Sequence, residues 1–180
     1  MSNPEIDTDT GIPDRWMRIW APHRAAYLSG ENRPLPTNEV PCPFCEIPKK
    51  EDAAGLIVHR GKSLFVVLNL YPYNPGHLLI CTYRHISDFT ELENAERNEL
   101  SELTDSSMKA LREVSKPVGF NIGINQGEFA GAGIPAHFHQ HIVPRWKGDA
   151  NFMPVVSGTK VISQMLDEVR NELVAVFKSN

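Results

Sequence analysis

The stretch HFHQHIVPRW, residues 137–146, carries three of the chain's seven histidines at every second position. In a β-strand, side chains two residues apart project from the same face of the sheet. One face of this strand therefore carries histidines alone, and the opposite face carries Phe138, Gln140 and Ile142. Three successive imidazoles on one face indicate metal binding or phosphate chemistry. A surface strand with chance histidines is disfavoured, because a glycine-rich loop precedes the strand and apolar residues occupy its other face.

The remaining patterns predict the elements around this strand. The runs LIVHR, SLFVVLNL and HLLICTYR are separated by turn signals and predict a three-stranded meander. Helical periodicity follows over residues 91–115, then a strand over GFNIGINQG, the histidine strand closed by Pro144, and a C-terminal helix over 161–177. This order predicts an α+β fold, in which a long helix and a C-terminal helix accompany an antiparallel sheet of about five strands.

The N-terminal region differs in composition from the rest of the chain. Residues 1–12 are polar and are predicted to be disordered, a helix is predicted near 13–28, and a loop rich in Pro, Asn and Gly leads to CPFC. The sequence therefore divides into an N-terminal extension, residues 1–35, and a main domain, residues 36–180.

Charge and hydropathy exclude several classes of partner. The net charge of −4 argues against a general nucleic-acid binder, although a local cationic pocket for a phosphorylated small molecule stays open. No apolar run is long enough to span a bilayer, so no membrane partner is expected. The N-terminus lacks the basic and apolar regions of a signal peptide, which predicts a cytoplasmic location.

The three cysteines do not suggest a disulfide framework. Cys42 and Cys45 are separated by two residues, a spacing that suits metal ligands or a redox pair in a reducing compartment. Cys81 lies in a strand-like run and is expected to be a buried apolar residue.

Four ordered blocks of sequence resemble the histidine triad (HIT) family. The motif HFHQHIV is preceded by NLYPYNPGHLLI, TYRH and INQGEFAGAG, and the resemblance covers roughly residues 42–146. It implies a HIT-like fold, a homodimer, and activity as a nucleotidyl hydrolase or transferase. Gln140 stands where an apolar residue is usual, on the face opposite the histidines.

The resemblance gives the histidines their roles. His139 would attack the α-phosphorus of a nucleotide and form a nucleotidyl-histidine. A neutral imidazole is nucleophilic at pH 7, and a backbone carbonyl usually fixes its tautomer in the family. His141 is expected to be cationic enough to neutralise phosphate charge or to protonate the leaving oxygen. His137 completes the catalytic set, and His77 is expected to be structural.

Other positions are predicted to contact the substrate. Backbone N–H groups of Gly131, Ala132 and Gly133 could approach phosphate oxygens, because glycine lacks a Cβ. Asn125 and Asn69 match family positions beside the phosphates or the ribose. Tyr71 either lines the nucleotide cleft or only shapes a turn. Trp146 either stacks on adenine or packs into the core. The candidates for binding the acceptor phosphate are Arg145, Lys147 and Asn151.

The sequence blocks on either side of the histidine motif indicate one branch of the family. NLYPYNPGHLLI and HIVPRWKGDANF resemble the bacterial branch that cleaves diadenosine tetraphosphate with inorganic phosphate, giving ADP and ATP. One alternative is a hydrolase of dinucleoside polyphosphates or nucleoside phosphoramidates. An alternative of another class is a non-catalytic nucleotide-binding signalling protein.

The resemblance also implies a metal site. Some family members bind zinc through a cysteine pair, the histidine of an Arg-His dipeptide and the first triad histidine. Here those ligands would be Cys42, Cys45, His85 and His137, holding a structural zinc that pins the N-terminal loop to the sheet. An unmetallated or redox-active cysteine pair remains the alternative, and no organic cofactor is expected.

Overall fold

The computed structural model describes residues 41–149 and 164–179. Within them, five strands form one antiparallel sheet in the order β1-β2-β3-β5-β4. The strands are β1 (Ile57–Arg60), β2 (Leu64–Leu68), β3 (Leu78–Thr82), β4 (Gly119–Gly123) and β5 (His139–Arg145). This arrangement confirms the predicted α+β class and places the histidine strand inside the sheet.

Three α-helices accompany the sheet in the described residues. They are the single turn α1 (Pro43–Glu46), the long helix α2 (Asn94–Ser115) and the C-terminal helix α3 (Leu166–Ser179). Short 3-10 turns lie at Ile47–Lys49, Phe89–Glu91 and Glu128–Ala130. Among these helices, none combines the length and apolar character that crossing a membrane requires.

The main hydrophobic core lies between the sheet and the two longer helices. Leu64, Val66 and Ile80 from the sheet pack with Leu111 of α2 and Leu173 of α3. Because β2 and β3 are also covered on their other face, all of their residues are buried. Their continuous apolar runs follow from this two-sided burial.

A second apolar cluster covers part of the opposite face of the sheet. Phe44 of α1 packs there with Phe65, Val67, Leu79 and Cys81. In the register of β3 and β5, Leu79 is paired with His141 and Cys81 with His139. Side chains of paired residues lie on the same face, so the histidines share the face that α1 covers.

Several predicted element boundaries need correction. The histidine strand begins at His139, because His137 lies in a bend before it. Pro144 does not close the histidine strand but lies within β5, paired with Phe120. The pairing of β3 with β5 ends at Ile142, and Asn74 donates to the Pro144 carbonyl beyond it. Proline is tolerated there because no ladder partner faces its missing N–H on that side.

The C-terminal helix begins later than predicted, at Leu166, and Met165 before it is 67% exposed. Asp167 and Glu168 occupy the first turn, where acidic side chains stabilise a helix. Predictions for residues 1–40, the region 150–163 with Asn151, and the first positions of the C-terminal stripe lie outside the described residues.

Candidate active site

β5 holds two of the triad histidines in the middle of the sheet. His139 is 5% exposed, and β3 and β4 flank His141 on its two sides. The rings of His139 and His141 lie 5.0 Å apart at an interplanar angle of 65°. Strand alternation, with pairing to β3 for both residues and to β4 for His141, therefore fixes where these two imidazoles point.

One hydrogen bond sets the tautomer of His139. Its Nδ1 lies 2.8 Å from the backbone carbonyl oxygen of His137, which can only accept. Nδ1 therefore carries the proton, and in the neutral ring Nε2 carries the lone pair. The structure supplies the carbonyl acceptor that a histidine nucleophile needs.

A second chain of hydrogen bonds sets the tautomer of His141. The backbone N–H of Tyr73 donates to His77 Nδ1 at 3.1 Å, so the His77 proton lies on Nε2. That Nε2 donates to His141 Nδ1 at 2.9 Å. His141 consequently carries its own proton on Nε2, which is buried and has no hydrogen-bond partner in the described part of the chain. The site thus contains the lone pair of His139 Nε2 and the N–H donor of His141 Nε2, and no described residue accepts from that donor.

Burial keeps these imidazoles neutral. Desolvation, with repulsion from His141 and His139, lowers the pKa of His77 to about 3. Desolvation, followed by repulsion from His139, lowers the pKa of His141 to about 4. Desolvation also lowers the pKa of His139. The expectation of a cationic His141 is therefore corrected: at pH 7 it is a neutral hydrogen-bond donor.

An open cleft of about 380 Å³ lies beside His141. Its walls are Tyr73 and Asn74 from the turn before β3, the chain from Asn121 to Asn125, and Val143 and Arg145 of β5. The Tyr73 ring stacks on His141 with centroids 5.7 Å apart at 13°. The volume falls in the range of small-molecule sites, and amide and aromatic groups border it.

Arg145 reaches this cleft but is already paired. Its Nε and Nη2 donate to the Asp149 carboxylate at 2.6 and 2.9 Å, and Nη1 donates to the Asn121 side-chain oxygen at 2.6 Å. These bonds hold the pKa of Asp149 well below its usual range. Arg145, a predicted contact of the acceptor phosphate, is thus already paired with a carboxylate, because Asp149 follows four residues later.

The four predicted metal ligands converge. The ligand atoms of Cys42, Cys45, His85 and His137 all lie within 4.8 Å of one another. His137 Nδ1 is 3.3 and 3.5 Å from the two sulfurs, and Cys45 Sγ is 3.2 Å from His85 Nδ1. Tetrahedral zinc with ordinary bond lengths would hold sulfur and nitrogen about 3.5 Å apart. The donor set and its spacing fit such an ion.

The surroundings of His137 also suit a ligand. Its Nε2 lies 2.9 Å from the Thr82 backbone carbonyl, so Nε2 carries the proton and Nδ1 presents its lone pair to the cluster. Metal-bound histidines usually donate their second N–H to such an oxygen. The His137 ring therefore faces the other three candidate ligands, and its carbonyl accepts the hydrogen bond from His139.

A family model described as the HIT domain matches residues 50–148, more than half of the chain. The chain belongs to the HIT domain family. The AP-4-A phosphorylase of Mycobacterium tuberculosis is 43% identical to it over 171 residues, covering 93% of this chain and 88% of that protein.

Solved HIT structures share the fold. A zinc-bound histidine triad family protein from Mycobacterium smegmatis superposes with a TM-score of 0.60 at 23% identity, covering 77% of this chain and 94% of that chain. A hypothetical histidine triad nucleotide-binding protein from Sulfolobus tokodaii gives a TM-score of 0.62 at 22% identity, covering 77% of this chain and 93% of that chain.

The substrate contacts expected from the HIT resemblance are only partly brought together. Asn125, His141 and Arg145 border the cleft. Asn69 instead bonds the Tyr71 backbone N–H and His77, and the Tyr71 side chain is 80% exposed. Asn69 therefore shapes the turn that carries Tyr73 and His77.

The structure places the glycine loop away from the cleft and favours one of the two alternatives for Trp146. The Gly131 N–H already donates to Glu128, Ala132 is buried and Gly133 is exposed; none of the three borders the cleft. The Trp146 indole N–H donates to the Ser115 carbonyl at the end of α2. That bond draws the indole toward the helix side of the sheet, which favours the packing alternative.

Sequence reasoning missed Asp149 altogether and gave His77 only a structural role. His77 is fully buried, and it orients His141 rather than only supporting the turn. Its signal was present, because His77, Leu79 and Cys81 alternate toward one face. Without the register of β3 against β5, however, that face could not be matched to the triad.

Proposed function

We propose that this protein is a diadenosine tetraphosphate phosphorylase that forms a nucleotidyl-histidine on His139. The observation that carries the chemistry is the buried neutral imidazole with Nδ1–H fixed by the His137 carbonyl. The similarity to the mycobacterial phosphorylase over nearly the whole chain supports the choice of substrate.

In the first step, the His139 Nε2 lone pair attacks the α-phosphorus of one adenylate. A P–N bond forms, the P–O bond to the remaining phosphates breaks, and ATP leaves. His141 Nε2–H, held by His77, is available to donate to a phosphate oxygen as negative charge develops there. In the second step, an oxygen of inorganic phosphate attacks the same phosphorus, the P–N bond breaks, and ADP leaves.

The metal cluster has a separate, structural role in this proposal. Cys42, Cys45, His85 and His137 would hold zinc, which ties α1 to the histidine face of the sheet. Paired thiolate ligands suit a reducing compartment, which supports the cytoplasmic assignment. A homodimer is supported by β4, an edge strand with two exposed apolar residues: Val118 directly before it is 78% exposed, and Ile122 within it is 44% exposed.

Product analysis tests the function directly. The protein is incubated with diadenosine tetraphosphate with and without phosphate, and nucleotides are separated by chromatography. We expect ADP and ATP only when phosphate is present. AMP and ATP regardless of phosphate would identify the hydrolase, and nucleotide binding without turnover would identify the non-catalytic binding protein.

The rate of dinucleotide cleavage should persist at mildly acidic pH. Protonation of His139 Nε2 removes the attacking lone pair, so activity is lost as pH falls through the folded-state pKa of His139. Burial lowers that pKa from 6.5. We therefore expect the acid limb of kcat/KM for the dinucleotide to lie below pH 6.5. An acid limb above pH 6.5 would show that a different group titrates.

A further inference from the structure

We propose that Phe44 is a positioning residue that holds the His139 ring for attack. The inference rests on the proposed function, because it takes His139 as the nucleophile. Phe44 is 5% exposed, and its ring centroid lies 4.9 Å from that of His139 at 44°. It also lies 5.5 Å from the His137 ring at 67°.

His139 is thus restrained on more than one side. Phe44 contacts its ring, His141 contacts it at 5.0 Å, and the His137 carbonyl holds Nδ1. A single hydrogen bond fixes the tautomer but lets the ring tilt about it. Contact with two further rings removes that freedom, which keeps the Nε2 lone pair aimed at one point.

Phe44 is itself fixed by its neighbours in the chain. Cys42 and Cys45 flank it in CPFC, and both thiols lie in the cluster with His85 and His137. The Cys42 carbonyl accepts from the N–H groups of Cys45 and Glu46, which closes the turn of α1. The Phe44 side chain and the His137 backbone therefore both connect His139 to the cluster of Cys42, Cys45, His85 and His137.

Two substitutions at Phe44 separate positioning from folding. We expect Phe44→Ala to lower kcat per active site by about ten- to hundredfold, the scale of a misplaced reacting group. Phe44→Leu refills most of the volume and should recover most of this loss. Active sites are counted from the burst of ATP release, and zinc content is measured in the same samples.

Phe65→Leu is the matched control. Phe65 is fully buried in the same apolar cluster and packs on Tyr83 at 5.2 Å. This variant should lower Tm yet keep the wild-type kcat per active site. A loss of kcat in Phe65→Leu as large as that in Phe44→Ala, an unchanged kcat in Phe44→Ala, or an effect confined to KM would overturn the proposal.

An activity-independent measurement keeps the proposal separate from the proposed function. In ¹⁵N-labelled protein, His139 should show a protonated Nδ1 that exchanges slowly with solvent. Phe44→Ala should speed that exchange at least tenfold, whereas Phe65→Leu should not. Unchanged exchange in Phe44→Ala would refute positioning even if the substrate assignment fails, and an inactive wild type would refute only the assignment.

Discussion

Replacing His139 with alanine is expected to lower the rate of diadenosine tetraphosphate cleavage by about four to six orders of magnitude, the cost of removing a catalytic nucleophile. Nucleotide affinity should change far less, because the cleft beside His141 is bordered by other residues. Single-turnover measurements with radiolabelled dinucleotide, quenched by alkaline denaturation because the P–N bond is labile in acid, should show protein-bound adenylate in the wild type and none in the variant.

The neighbouring histidines cannot take over from His139. The His141 Nδ1 lone pair accepts from His77, and its Nε2 carries a proton. The His137 Nδ1 lone pair points to Cys42 and Cys45, and its Nε2 donates to Thr82. Of the three triad rings, only His139 presents a lone pair that the described residues leave unused. The expected loss is therefore large despite two histidines nearby.

His59→Ala provides the control for this substitution. His59 also lies in the sheet, on β1, but its ring stacks on Phe177 of α3 at 5.2 Å. The control should retain wild-type turnover. If His139→Ala still cleaves the dinucleotide at a rate near that of His59→Ala, the covalent mechanism through His139 is wrong.

Periodicity was enough to predict most of the elements and the shared face of His139 and His141. Their alternation required only that the segment be extended, and β5 meets that condition, whereas His137 lies in the bend before the strand. The long helix and the meander were equally local patterns. Their boundaries moved where tertiary contacts decided them, as at Pro144, which the end of β3 accommodates.

The features of the site that the sequence did not predict depend on the pairing of distant segments and on burial. His77 meets His141 across 64 residues of sequence, and Asn74 meets Asp149 across 75. The neutral state of His141 follows from desolvation, which no local pattern reports. The ion pair of Arg145 could not be predicted, because its partner, Asp149, lies in the turn after the strand, where sequence spacing does not specify contact.

Removing the metal is the second prediction with a large expected effect. If free zinc exceeds its Kd by about a thousandfold, binding stabilises the fold by about 4 kcal/mol. For a protein of this size, that corresponds to a Tm decrease of roughly 8–16 °C on metal loss. Thermal unfolding followed by circular dichroism, before and after chelation, measures this change, and elemental analysis should find about one zinc per chain.

The double variant Cys42→Ser/Cys45→Ser should melt at the lower temperature and respond neither to chelator nor to added zinc. Cys81→Ala is the matched control: Cys81 is a buried cysteine outside the four-ligand cluster, so that variant should keep its response to chelation. Less than half an equivalent of zinc in wild-type protein purified without chelator would contradict the four-ligand site. Because the His137 ring belongs to the four-ligand cluster and its carbonyl fixes His139, metal loss should also lower turnover per active site.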